Sequence, residues 1–125
     1  MSKTTWFAEF CPTPIGESTK SDLAGVNYSL KKWEGLRRKE LGKHGLDVAT
    51  WEMYGGDNCP FCLNYTIDGE DGILCSDRCP LVRVLGEPCD KGEAAPFGRF
   101  LFHDDAEPMI RALKDAKRRI EEDWE

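Results

Sequence analysis

Cys59-Pro60-Phe61-Cys62, then Cys75-Ser76-Asp77-Arg78-Cys79-Pro80, then Gly86-Glu87-Pro88-Cys89: this one stretch holds five of the chain's six cysteines. Two close pairs separated by a short spacer are the pattern of a metal knuckle. Each pair can sit on a tight turn, and together they can offer four thiolates to one ion. Zn2+ prefers a closed tetrahedral sulfur cage of this kind, and such cages are structural rather than catalytic.

Five thiols compete for four coordination positions. Cys59 and Cys62 belong to the tighter pair, and Cys79 precedes a proline that can fix the loop around a ligand. The fourth position lies between Cys75, which spacing favours, and Cys89, which follows Pro88 in a turn. The metal-ligand set read from the sequence is therefore Cys59, Cys62, Cys75, Cys79 and Cys89, with Cys11 structural. His103 is an alternative nitrogen ligand. The alternatives to zinc are disulfides and an iron–sulfur cluster, but paired cysteines in a reducing compartment more often bind metal.

Between the pairs, Tyr65-Thr66-Ile67 and Ile73-Leu74-Cys75 are β-prone runs around the turn residues Asp68-Gly69-Glu70-Asp71-Gly72. A hairpin here would carry the first pair beside the second. The acidic turn resembles a calcium loop, but its twelfth position is Cys79 rather than a bidentate glutamate. It reads as a solvated turn.

Outward from the cysteines, the pattern becomes helical. From an N-cap at Ser21 or Asp22, the residues Leu23, Val26, Leu30 and Trp33 recur at three- and four-residue steps and lead on to Leu41. Gly42 and Gly45 supply stops, giving one helix over residues 21–45. Leu46, Val48 and Trp51 then form a short apolar segment leading to Gly55-Gly56. Residues 94–103, rich in phenylalanine, read as an extended segment lying over the core. A last helix over 105–124 starts with Asp105 as cap and Pro108 in the first turn, and its stripe is Met109, Ile110, Leu113, Ala116, Ile120 and Trp124. This stripe is expected to pack on the first helix. Residues 1–20 read as irregular, because Cys11-Pro12-Thr13-Pro14 cannot propagate a helix.

The resulting expectation is a single α+β domain of 125 residues: a zinc-stapled hairpin and knuckle over residues 55–92, packed with an N-terminal and a C-terminal helix. A chain this short gains from a staple. No apolar run approaches the roughly 20 residues of a membrane span. Glu9 interrupts the short apolar start, which is a poor signal peptide. A cytoplasmic location follows. No feature specifies an oligomeric state.

The formal charge of −6 conceals a segregation. Residues 29–44 carry Lys31, Lys32, Arg37, Arg38, Lys39 and Lys43 against Glu34 and Glu40, whereas residues 45–108 are strongly acidic. An acidic chain is a poor general binder of phosphate backbones, so a protein partner is favoured over nucleic acid. The nucleic-acid alternative would use the basic helix and the knuckle, with Trp33 or Phe61 as stacking surfaces.

Catalysis has little support. A thiol nucleophile needs a base, and the sequence places neither His44 nor His103 beside a cysteine. There is no glycine-rich phosphate loop, metalloprotease helix or nucleophile elbow. Cys59-Pro60-Phe61-Cys62 has the spacing of a redox pair, yet no βαβ unit surrounds it.

Ser29-Leu30-Lys31-Lys32-Trp33-Glu34-Gly35-Leu36, taken with the cysteine pairs and Gly86-Glu87-Pro88-Cys89, resembles a group of small bacteriophage and prophage proteins over roughly residues 29–113. That group shares a lysine–tryptophan helix, a Cys-x-x-Cys, a second pair ending in Cys-Pro and a later cysteine. Its second pair commonly has a two-residue gap, where this chain has three. The resemblance implies a phage-encoded accessory protein in the cytoplasm of the infected bacterium and supplies no biochemical activity; it is the acidic charge balance that favours a host protein as the partner.

Overall fold

The computed structural model describes residues 2–55, 58–69, 72–76, 78–87, 89 and 94–122, with the backbone alone for 66–69 and 72–75. Its elements run α1 (Lys3–Phe10), α2 (Ile15–Ser18), α3 (Asp22–Gly35), α4 (Arg38–Lys43), α5 (Trp51–Tyr54), α6 (Pro60–Tyr65), β1 (Thr66–Gly69), β2 (Gly72–Cys75), α7 (Pro80–Leu85), α8 (Pro96–His103) and α9 (Glu107–Glu121). The expected α+β class is corrected to all-α. β1 and β2 pair antiparallel, Thr66 opposite Cys75 and Gly69 opposite Gly72. Two strands of four residues make a ribbon, not a layer on which helices can pack.

The core lies between α3 and α9, which run against each other. Val26, Leu30 and Trp33 of α3 are buried, as are Met109, Ile110, Leu113 and Ala116 of α9. The expected pairing of the two apolar stripes is therefore present, although Leu23 is 40% exposed and Trp124 lies outside the described residues. Trp33 stands edge-on to Phe97 and Phe100, with ring centroids 6.1 and 4.9 Å away. That geometry suits aromatic quadrupoles.

Three further expectations are corrected. Residues 1–20 are not irregular, since α1 and α2 flank the Cys11–Pro14 break. The Ser2 hydroxyl accepts from the Thr5 N–H (3.4 Å) and the Thr5 hydroxyl from the Ser2 N–H (3.0 Å), a reciprocal cap at the start of α1. Trp6 and Phe10, four residues apart, then bury the inner face of α1.

The helix expected over 21–45 is two helices. Ser21 caps α3 through the Ala24 N–H at 3.0 Å, as its sequence position suggests. At the other end, Trp6 Nε1–H donates to the Gly35 carbonyl at 2.7 Å. That carbonyl would otherwise accept the next turn's amide, so the indole diverts the acceptor and Arg37 turns extended (φ −61°, ψ 141°). Gly35 is required here by contact, because a Cβ would stand 2.3 Å from Phe10 Cγ.

Residues 96–103 are helical, not extended. Pro96 occupies the first turn of α8, where its missing N–H costs nothing, and Phe100 is buried on Trp33. In α9 the N-cap is Ala106, while the Asp105 carboxylate still accepts from the Glu107 N–H at 3.1 Å. Arg37 grips Glu107 with two bonds of 2.7 and 3.0 Å, tying the α3–α4 joint to the start of α9.

Candidate metal centre

The Cys59-Pro60 and Cys79-Pro80 steps each open a helix. The Cys59 carbonyl accepts from the Leu63 N–H and the Cys79 carbonyl from the Arg83 N–H, both at 3.0 Å. Pro60 and Pro80, whose fixed φ favours a helical start, therefore place Cys59 before α6 and Cys79 at the N-cap of α7. Cys62 lies within the first turn of α6. Cys89 is tied down separately, its carbonyl accepting from the Phe97 N–H at 2.8 Å at the head of α8.

These three segments bring Cys59, Cys62, Cys79 and Cys89 to the wall of one cavity, completed by Phe61, Tyr65, Leu81 and Val82. Its free volume is about 10 Å³. An organic substrate does not fit, since ligand pockets run to roughly 300 Å³ and more. The cavity is on the order of one small ion or water in size. The four side chains are present as thiols, and among the described residues no group of three or more His, Cys, Asp or Glu is placed so that it could hold a metal ion. The donor set nevertheless fits zinc: four sulfurs, one small apolar cavity, and no histidine among the described residues lining it. Cys75 ends β2 opposite Thr66, and its side chain lies outside the described residues.

The environment around Cys59 favours its ionised form. A hydrogen bond from the Cys62 side chain, the charge of Lys32 and the Cys62 and Phe61 amides outweigh burial, and the thiol falls to about 6 from its ordinary 9.0. Thiolate character is what a metal ligand needs.

Behind Cys59 lies a polar cluster that the sequence reading missed. Lys32, counted there among the basic run of residues 29–44, is fully buried. Its ammonium donates to the Asn58 carbonyl at 2.6 Å and stands 5.7 Å from the centroid of the Trp33 ring. Burial pushes its pKa down, while the Cys59, Cys11, Cys62 and Cys89 sulfurs pull it up. Tyr28 donates to Asn58 Oδ1. Asn58 Nδ2 in turn donates to the Met53 carbonyl at 2.9 Å and to Cys11 Sγ at 3.8 Å. Burial first, then Cys11, raises the Tyr28 phenol. Cys11, read as merely structural, thus borders the same cluster.

A signal for Lys32 was present in the spacing. Gly25, Ser29 and Lys32 form a second buried row beside Val26, Leu30 and Trp33. The small residues of that row admit α6, with a Cβ at Gly25 placed 3.1 Å from Phe61 Cε1.

No family model, curated protein or solved structure matches this chain. The site is therefore read from its geometry.

His44 does not serve a thiol. Its Nε2 meets Glu9 Oε1 at 2.7 Å and its Nδ1 meets the Thr5 hydroxyl at 2.9 Å. Thr5 also donates to the Ser2 carbonyl at 2.9 Å. This Thr–His–Glu array pins α1 to the end of α4 and borders no cavity described here. No helix among the described residues is long and apolar enough to cross a membrane.

Proposed function

We propose that this protein is a phage-encoded accessory factor, without catalytic activity, whose helical scaffold is stapled by Zn2+ on Cys59, Cys62, Cys79 and Cys89 and which binds a protein of the bacterial host cytoplasm. The observation that carries the staple is the convergence of these four cysteines, from three separate segments, on one cavity of ion size. The zinc would supply cross-linking between the starts of α6 and α7 and the lead into α8. Its binding free energy would appear as folding free energy.

Binding to a protein is supported by exposed apolar side chains beside a mixed groove. Val48 and Leu101 line a groove of about 130 Å³ together with Tyr54, Arg38, Asp47 and Asp104. Trp51 packs edge-on to Tyr54 at 5.6 Å and remains 58% exposed, with Val48 at 66% and Leu101 at 44%. Tryptophan and tyrosine are enriched at protein interfaces.

Less supports the nucleic-acid alternative through the basic run. Lys32 is buried, Arg37 is taken by Glu107, Arg38 by Asp104 at 2.9 Å and Lys43 by Glu40 at 2.7 Å. Carboxylates beside these cations weaken the pull of the basic run on a phosphate backbone. The test is retention of host-lysate proteins on the immobilised wild type beside Trp51→Ser and Leu101→Ser variants. The reading expects a discrete retained protein that both variants lose. Retention indifferent to both, or submicromolar binding of nonspecific duplex near physiological salt, contradicts it.

A further inference from the structure

A buried ammonium must be compensated, and among the described residues Lys32 has no ion-pair partner. The Asn58 carbonyl occupies one of its three donors. Asn58 is the residue immediately before Cys59. The same asparagine is held from three sides, by Tyr28, the Met53 carbonyl and Cys11, so the ammonium's position beside the cysteines is fixed rather than incidental.

The metal site, for its part, has the opposite difficulty. A divalent ion bound by four thiolates carries a net charge of −2 in an apolar cavity walled by Phe61, Leu81 and Val82. Desolvating that charge is unfavourable unless a cation lies close by. The fully buried Lys32 is such a cation.

We propose that Lys32 is the internal counter-cation of the tetrathiolate centre, positioned on the Asn58 carbonyl so that the cavity holds a divalent metal with all four cysteines. This rests on the zinc reading above. Lys32 is then a positioning and affinity-setting residue, not a ligand. It also accounts for a lysine in the inner row of α3, where its neighbours Gly25 and Ser29 are small.

The experiment uses the full chain and zinc alone, with affinity read by competition against a chromogenic chelator. Four proteins are compared: wild type, Lys32→Met, Cys89→His and the double variant. Lys32→Met keeps the side chain as far as the Cε position and removes the charge. It is expected to weaken zinc roughly 10- to 100-fold, the range for groups that support a ligand set. Cys89→His exchanges a thiolate for a neutral imidazole and lowers the centre's charge to −1, so Lys32→Met should cost clearly less in that background. Zinc affinity within twofold of wild type, or an equal loss in both backgrounds, overturns the assignment. Wild type that takes up no zinc overturns the metal reading itself, and this inference with it.

Discussion

Replacing Trp6 by phenylalanine tests whether the amino-terminal helix is part of the core and sets the break between α3 and α4. Trp6 is fully buried and its indole N–H donates to the Gly35 carbonyl at 2.7 Å. Its ring meets Phe7 at 5.0 Å and Phe10 at 5.7 Å. Phenylalanine keeps most of the apolar contact but loses the donor, and the Gly35 carbonyl is left without it. An orphaned buried acceptor costs about 1–3 kcal/mol. The smaller ring forfeits on the order of 40 Å² of burial, about 1 kcal/mol at 25 cal/mol/Å². The sum is about 2–4 kcal/mol, a large part of a typical stability of roughly 5–15 kcal/mol. In urea titrations followed by circular dichroism, the midpoint should fall with an unchanged slope. The melting temperature should drop by roughly 8–16 °C. Trp51→Phe is the control, since Trp51 is 58% exposed and should change stability by no more than about 0.5 kcal/mol. If Trp6→Phe costs no more than Trp51→Phe, α1 is not a core element and the explanation of the helix break fails.

Gly35→Ala should destabilise by about 1–2 kcal/mol in thermal melts. The new methyl would lie 2.3 Å from Phe10 Cγ, an overpacking of about 1–3 kcal/mol partly offset by alanine's helix propensity; Gly25→Ala, at 3.1 Å from a ring edge, should cost less. Glu107→Gln should cost no more than about 1 kcal/mol at neutral pH, because the Arg37–Glu107 pair is substantially solvent-exposed. The hydrogen bond from Arg37 holds Glu107 below its ordinary 4.5, so this stability is present above that value and is lost as pH falls through the folded one. The wild-type and Glu107→Gln melting curves should therefore converge in acid, and a gap that persists there would contradict the assignment. Cys11→Ser should retain the full zinc content by elemental analysis, as Cys11 contacts Asn58 rather than lining the cavity, whereas Cys79→Ser should lose it.

Much of the helical framework was legible because it rests on periodicity. The rows Val26–Leu30–Trp33 and Met109–Ile110–Leu113–Ala116 each mark one face of a helix, and the two faces meet. Ser21 could be read as a cap for the same local reason. What escaped the sequence depends on contacts between distant segments. Nothing near Gly35 announces that Trp6, 29 residues earlier, takes its carbonyl. The phenylalanines of 97–102 suggest a strand by propensity, yet Pro96 and the contact of Phe100 with Trp33 make them a helix. The class was misjudged because the paired cysteines suggested a hairpin-based knuckle. In the folded chain the helices opened by Pro60 and Pro80 place the thiols, and the ribbon only connects them. At the site, spacing named the cysteines, but it left Lys32 as one cation among six in the basic run.

The most direct test of the central claim is the metal content of the purified full-length chain, measured by native mass spectrometry with elemental analysis. The account predicts one zinc per chain, absent from Cys59→Ser and Cys79→Ser and retained by Cys11→Ser. Metal-free wild-type protein, purified without chelator and cooperatively folded, would contradict it.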